Sequence, residues 1–200
     1  EVMGLQRCAA GLTLVLSGDA KSGAYDHAVV AVPAEQAVRL LSPIAPSMAM
    51  EAQAAHTSPC WAVMVAFSSA IEVGFEAARV LGSSPLAWIA QMKGDGSDHS
   101  CWVLHATSAW SMENIEQRAE VVAADLARAF ASLAGISVEP SQLSAHRWRY
   151  AQVQTSAGTP FAWNPDLDIG VCGDWRLGPR IECAWKSGDA LGSEISQMMA

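Results

Sequence analysis

Three short apolar runs set the tightest constraint on what this chain can fold into. They are Cys60–Phe67 (CWAVMVAF), Pro85–Gln91 (PLAWIAQ) and Cys101–Thr107 (CWVLHAT). Each is rich in β-branched or aromatic residues, bounded by turn-forming residues and short for a helix, so each is predicted to be a strand. The polar segment MKGDGSDH joins the second run to the third and predicts an antiparallel hairpin. Its Gly94-Asp95-Gly96 is read as part of that hairpin tip, because it does not open a helix as a phosphate-binding loop must. Further on, Ile115, Ala119, Val122, Leu126, Phe130 and Leu133 share one stripe at helical spacing. They predict an amphipathic helix over 111–134, with Ser111 as N-cap and Gly135 as the stop. Glu116 and Glu120 would be its solvated face.

The flanking segments add smaller elements. Leu12–Leu16 alternates weakly and runs into the turn-rich SGDAKSG. AYDHAVVAVP is a β-branched run closed by Pro33, the pattern of a buried and parallel strand. Glu35–Leu41 is a short helix with Pro33 just ahead of it, ended by SPIAP. LSAHRWRYAQV is a further strand, GTPFAWNPD a loop, and LDIGVC a last buried strand. The fold class expected is α/β of the α+β kind: a mixed, largely antiparallel sheet with helices.

Composition narrows the function. A net charge of −8 opposes nucleic-acid binding, which needs a cationic surplus, but leaves room for an anionic small molecule. No apolar run approaches the length of a membrane span, so no membrane partner is expected. The five Cys form no C-x-x-C and most have apolar neighbours, which predicts free thiols in a reducing, cytoplasmic setting. No Cys/His pair has zinc-ligand spacing, so no metal site is expected.

The end of the chain carries the functional signal. After LDIGVC come Gly173 and Asp174, a loop with Gly178 and Pro179, and then RIECAWKSG, Arg180–Gly188. An apolar strand ending in Gly-Asp, a loop and a helix with Ser-Gly together resemble the C-terminal signature of flavin-dependent amine oxidase-like proteins. The matching residues are Gly173, Asp174, Arg180, Ile181, Glu182, Cys183, Ala184, Ser187 and Gly188. Within that superfamily CWVLHATSAWS and HRWRYA look most like renalase and its bacterial relatives.

The resemblance implies an FAD cofactor and a division of the chain. Residues 1–32 would be returning strands of an FAD-binding domain, 33–165 a substrate-binding domain, and 166–200 the final strand and helix of the Rossmann-like FAD domain. The family's opening G-x-G-x-x-G, which anchors the pyrophosphate at a helix N-terminus, is absent from the sequence. The chain is therefore expected to be the C-terminal portion of a longer flavoprotein, lacking on the order of a hundred residues.

Roles follow from the same resemblance. Gly173 would let the backbone pass close to a ligand, and Asp174 would accept hydrogen bonds from ribityl hydroxyls. A strand-end Asp capping its own turn is the competing reading. Ile181, Glu182 and Cys183 would start the helix whose N-terminus faces the flavin's pyrimidine edge. Arg180 would either steady the pyrophosphate or solvate the loop. Val2 aligns with a position whose backbone brackets the adenine.

For the substrate side the candidates are His105, Arg147, Trp148 and Arg149. Alternation along a strand puts Arg147 and Arg149 on the face opposite Trp148. His105, among apolar neighbours, is expected in the core. The other tryptophans, Trp61, Trp88, Trp102 and Trp110, are expected to pack in the core too. Renalase-like enzymes oxidise dihydro isomers of NAD(P)H by hydride transfer to flavin, with oxygen reduced to hydrogen peroxide. That is the activity expected of the parent protein, and the basic HRWRYA favours a dinucleotide over an amine. Amine or porphyrinogen oxidation, or a non-catalytic half of a split flavoprotein associating through an exposed sheet, are the alternatives.

Overall fold

A computed structural model describes residues 1–92 and 99–199. The predicted hairpin tip with Gly94 and Gly96 lies outside the described residues. The chain divides into two compact units, one of residues 1–57 with 152–200 and one of residues 58–151.

The first unit begins with β1 (Val2–Cys8), β2 (Gly11–Leu16) and β3 (Lys21–Tyr25), an antiparallel three-stranded sheet. A second small sheet has β4 (Ala28–Val30) at one edge, β11 (Ile169–Val171) in the centre and β10 (Ala162–Asn164) at the other edge. β4 and β11 are parallel, with Ile169 opposite Ala28 and Val171 opposite Val30. Both strands bury Val30, Ile169 and Val171, in keeping with the all-apolar run expected of a parallel pair. β10 falls in the segment predicted to be loop; three residues carry too little pattern to reveal a strand without its partner.

Helix α1 (Ala34–Leu41) starts just after Pro33 and buries Ala34, Ala37, Leu40 and Leu41. SPIAP ends it, but Pro46 then stands at the start of a further helix, α2 (Pro46–Ala54). The two prolines divide the work: Pro43 follows the C-cap Ser42 and cannot continue α1, and the fixed φ of Pro46 suits the first turn of α2. After β11 the chain makes a 3-10 turn (Asp174–Arg176) and enters α5 (Ile181–Met198). Leu191 of α5 is buried against β11, where a side chain on Gly170 would come within 2.9 Å of it.

The second unit is built on a five-stranded sheet ordered β6, β7, β8, β5, β9, in which β6–β7, β7–β8 and β8–β5 pair antiparallel. Its strands are β5 (His56–Phe67), β6 (Ala77–Arg79), β7 (Leu86–Met92), β8 (Ser100–Ala106) and β9 (Gln142–Thr155). Helices α3 (Ser108–Glu113) and α4 (Ala119–Ala134) follow β8. Val63, Val65, Phe67, Ile89, Trp102 and Leu104 form a core with Val122, Leu126 and Phe130 of α4. The stripe read from the sequence is therefore the packing face, although Leu133 at its end is 44% exposed.

The single helix expected over 111–134 is two helices, because tertiary partners take the carbonyls that would have continued it. The Trp61 indole N–H donates to Asn114 O at 3.0 Å, and the Arg147 guanidinium donates to Ile115 O. Ser111 is not an N-cap: it lies inside α3 with no exposed surface, and its hydroxyl accepts the Trp61 backbone N–H at 3.0 Å. Thr107 caps α3 instead, accepting from the Trp110 N–H at 3.2 Å. Gly135 ends α4 in the left-handed conformation, φ 68°, as expected of a residue without a Cβ.

Candidate functional site

In the first unit the chemistry gathers where β11 ends. Gly173 has φ 153°, a conformation that favours glycine. A Cβ there would sit 2.7 Å from Trp175 Nε1, so the space is reserved by a protein side chain. The Gly173 N–H donates to Ser187 Oγ at 2.8 Å, and that hydroxyl donates to Pro160 O at 2.5 Å. Ser187 of the Ser-Gly pair thus ties α5 to the strand end and to the loop before β10.

Asp174 is half-buried, and its Oδ1 accepts the Trp175 N–H at 2.8 Å. One oxygen caps the turn, as the simpler reading required; the other has no hydrogen-bond partner among the described residues. Ahead of α5, Arg180 occupies the N-cap position with no side-chain cap. Arg180, Ile181 and Glu182 are exposed, and Ile181 is 87% so. Cys183 is partly buried, with its sulfur 3.8 Å from where a Cβ on Gly178 would lie. The 18-residue helix has no side-chain cap; the Cys183 N–H donates to Arg180 O at 2.9 Å, while the Ile181 and Glu182 N–H groups have no acceptor among the described residues and stand at the positive dipole end. A free carboxylate oxygen and uncapped amides are the donor and acceptor types that a polyhydroxyl chain and an electron-rich ring edge require. Val2 lines an apolar groove of about 300 Å³ with Leu5, Leu14, His27 and Val30.

Arg176 was not singled out by the sequence reading. It is 1% exposed, bonded to Glu51 Oε2 at 2.9 Å, to Thr159 O at 3.1 Å and to Phe161 O at 3.0 Å, and stacked on Trp175 at 5.2 Å. Its hydrogen-bond partners lie 15 to 125 residues away in sequence, so no local pattern points to it.

In the second unit the sheet has one covered and one open face. Opposite the α4 side stand Met64, Trp88, Met92 and His105, with cross-strand pairs Met64–Val103, Ala62–His105, Trp88–His105 and Met92–Cys101. On β9, Ala145 packs with the core cluster and Arg147 lies over the Trp61 ring at 5.6 Å. Alternation therefore places His146, Trp148 and Tyr150 on the open side. Trp148 is 55% exposed and meets the His146 ring edge at 4.4 Å.

The four substrate candidates thus separate by face. His105 and Trp148 share the open side. Arg147 and Arg149 point the other way, and both bond Glu116: Arg149 through two contacts of 2.8 and 3.1 Å, Arg147 at 3.1 Å. Glu116 is accordingly an ion-pair partner in the link between α3 and α4, not a solvated helix residue. A groove of about 660 Å³ beside this cluster is lined by Trp61, Glu116, Arg118, Glu120 and Arg147, and the nearby carboxylates already answer its cations.

His105 is exposed, contrary to the core position expected, because its place in the strand alternation faces away from α4. Partial desolvation still pushes its pKa below the ordinary histidine value, so the imidazole favours the neutral form. Trp61 and Trp102 are core residues as expected, whereas Trp88 is 39% exposed. Among the described residues no group of acidic, histidine or cysteine side chains could hold a metal ion. No described helix is long and apolar enough to cross a membrane.

No family model matches the chain. Solved structures do. A structure assigned as a protoporphyrinogen oxidase, from an Exiguobacterium species, superposes with a TM-score of 0.73 at 16% identity, over 96% of this chain and 45% of that one. Cyclohexylamine oxidase from Brevibacterium oxydans matches at 0.68 and 13% identity, over 100% of this chain and 48% of that one. A putrescine oxidase variant with redesigned cofactor binding matches at 0.67 and 15% identity, over 98% and 48%. The chain spans about half the length of the structures it matches. The fold of this protein, in both its units, is one that it shares with amine and protoporphyrinogen oxidases.

Proposed function

We propose that the chain is the C-terminal part of an FAD-dependent oxidoreductase of the renalase-like kind, acting in the cytoplasm. The observation that carries the reading is the end of β11: a half-buried Asp174 with one oxygen uncommitted, followed by a long helix with no N-terminal cap. Asp174 would accept hydroxyl hydrogen bonds from the ribityl chain. The first amides of α5 would stabilise negative charge at the ring edge that they face. Arg180 is exposed and open to a phosphate. Val2 and the apolar groove it lines would take the adenine. When bound, the flavin supplies a hydride acceptor whose electrons pass on to oxygen, giving hydrogen peroxide.

The second unit would supply the substrate surface. Its open face offers Trp88, Trp148, His105 and methionines, and no carboxylate among the described residues named on it. That chemistry suits a flat, uncharged ring such as a dihydronicotinamide better than an ammonium ion. The two arginines of HRWRYA do not favour a dinucleotide, because Glu116 holds both of them on the other face. Amine or porphyrinogen oxidation is the second reading, favoured by the substrates that the matched oxidases are named for.

Two measurements test this. The purified chain is titrated with FAD and followed by flavin absorbance and fluorescence; binding that weakens about tenfold or more in Asp174→Ala supports the reading. Peroxide is then followed with dihydro isomers of NAD(P)H and, separately, with amines. Failure of wild type and variant alike to bind FAD overturns the flavin assignment for this chain.

A further inference from the structure

We propose that the open face of the five-stranded sheet holds a phosphorylated nucleoside, with Arg79 contacting its phosphate, Trp88 stacking on its flat ring and His105 hydrogen-bonding a ring amide or carbonyl. The inference deepens the reading of the second unit as the substrate domain and rests on it.

The three side chains form one row. Arg79 is opposite Trp88, Trp88 is opposite His105, and Ala62 stands on the far side of His105. Directly opposed residues of adjacent strands project on the same face, with Cβ atoms about 4.5–5.5 Å apart. The neighbouring row, Ala78, Ile89 and Leu104, faces the α4 core, and Ile89 and Leu104 have no exposed surface. That fixes the Arg79 row on the open side. Two strand spacings separate Arg79 from His105, about 9–10 Å, the scale of a mononucleotide from ring to phosphate.

Each member suits its part. Arg79 is exposed and has no ion pair or hydrogen bond to another described side chain, so its planar guanidinium is available for bidentate phosphate contact. Arg147 and Arg149 cannot serve, since they lie on the other face and are held by Glu116. Trp88 is partly exposed, leaving a ring surface on which a flat heterocycle can stack. A neutral imidazole has one donor and one acceptor nitrogen, the complement of a carboxamide.

The test is calorimetric titration of the 200-residue chain, without flavin, using reduced nicotinamide mononucleotide and its unphosphorylated riboside. The mononucleotide is expected to bind more tightly than the riboside. Arg79→Ala should weaken the mononucleotide about tenfold and leave the riboside unchanged. His105→Ala should weaken both, and His105→Asn should restore most of the loss. No mononucleotide binding, equal affinity for the two ligands in the wild type, or an Arg79→Ala variant that binds like wild type each overturns the proposal. FAD titration of the same preparations separates the two readings. FAD binding with no nucleotide binding defeats only this inference, and nucleotide binding with no FAD binding defeats only the flavin assignment.

Discussion

Ser187 has no exposed surface and satisfies two backbone groups at once, the Gly173 N–H and the Pro160 carbonyl. Ser187→Ala would leave both unpaired in a buried place. A loss of about 1–3 kcal/mol per orphaned group is expected, read from urea denaturation midpoints. Arg176 is the other buried polar anchor, and Arg176→Met should destabilise by about 1–3 kcal/mol by the same measurement, because three oxygens of the loop before β10 lose their donor, whereas the half-exposed Glu51 regains water. Glu116 behaves differently. Arg149 first, and Arg147 after it, hold its carboxyl below the ordinary glutamate value in the folded chain. The folded pKa is the lower one, so the stabilisation is present above the unfolded value and is lost as pH falls through the folded one. Glu116→Gln should therefore be less stable than wild type at neutral pH, by a small margin suited to an exposed pair, and the two midpoints should converge in acid below the ordinary carboxylate range. For His105 the sign is that of a group favouring its neutral form when folded. Its imidazole resonances should titrate below those of an unfolded peptide, and a midpoint at or above the peptide's would contradict the partial burial.

At the scale of elements, the long apolar strands and the amphipathic helix were legible because each carries its own period. β5, β7, β8 and α4 bury their alternate or stripe residues much as the letters suggest. What was not legible was decided by partners distant in sequence. The break between α3 and α4 depends on Trp61 and Arg147, which claim the carbonyls of Asn114 and Ile115. The strands β4 and β10 are three residues each and exist through pairing with β11. The candidate site divides in the same way. The Gly-Asp turn and the final helix could be read as a local motif, and strand alternation correctly set Trp148 against Arg147 and Arg149. Arg176 and the open-face placement of His105 needed the assembled sheet and loops. The α4 packing stripe gives a direct check: Leu126→Ala, at a site with no exposed surface, should cost about 2–5 kcal/mol by denaturation.

At the scale of the whole molecule, two units share a chain that crosses between them along β5 and β9. The proposed function gives the two units distinct jobs, one at the cofactor and one at the substrate. All five cysteines are free, and they differ in access: Cys8 is exposed, Cys172 is buried, and the other three lie between. Thiol labelling of the native chain should therefore modify Cys8 first and Cys172 only on unfolding. Burial also raises the pKa of the Cys172 thiol, which slows its reaction further.

Trp175 gives the molecule an internal reporter. It is 1% exposed, its indole N–H is fixed to Val32 O at 3.0 Å, and it fills the space beside Gly173. The ends of β4 and β11 are thus yoked through one chromophore that aqueous quenchers cannot reach. Iodide should extinguish the emission of Trp148 and Trp185, which are 55% and 67% exposed, and leave a residual shielded band. Trp61 and Trp102 are shielded as well, so a shift of that band on adding a molecule, present in wild type and lost in Trp175→Phe, would signal an event at the Asp174 turn without a label of any kind.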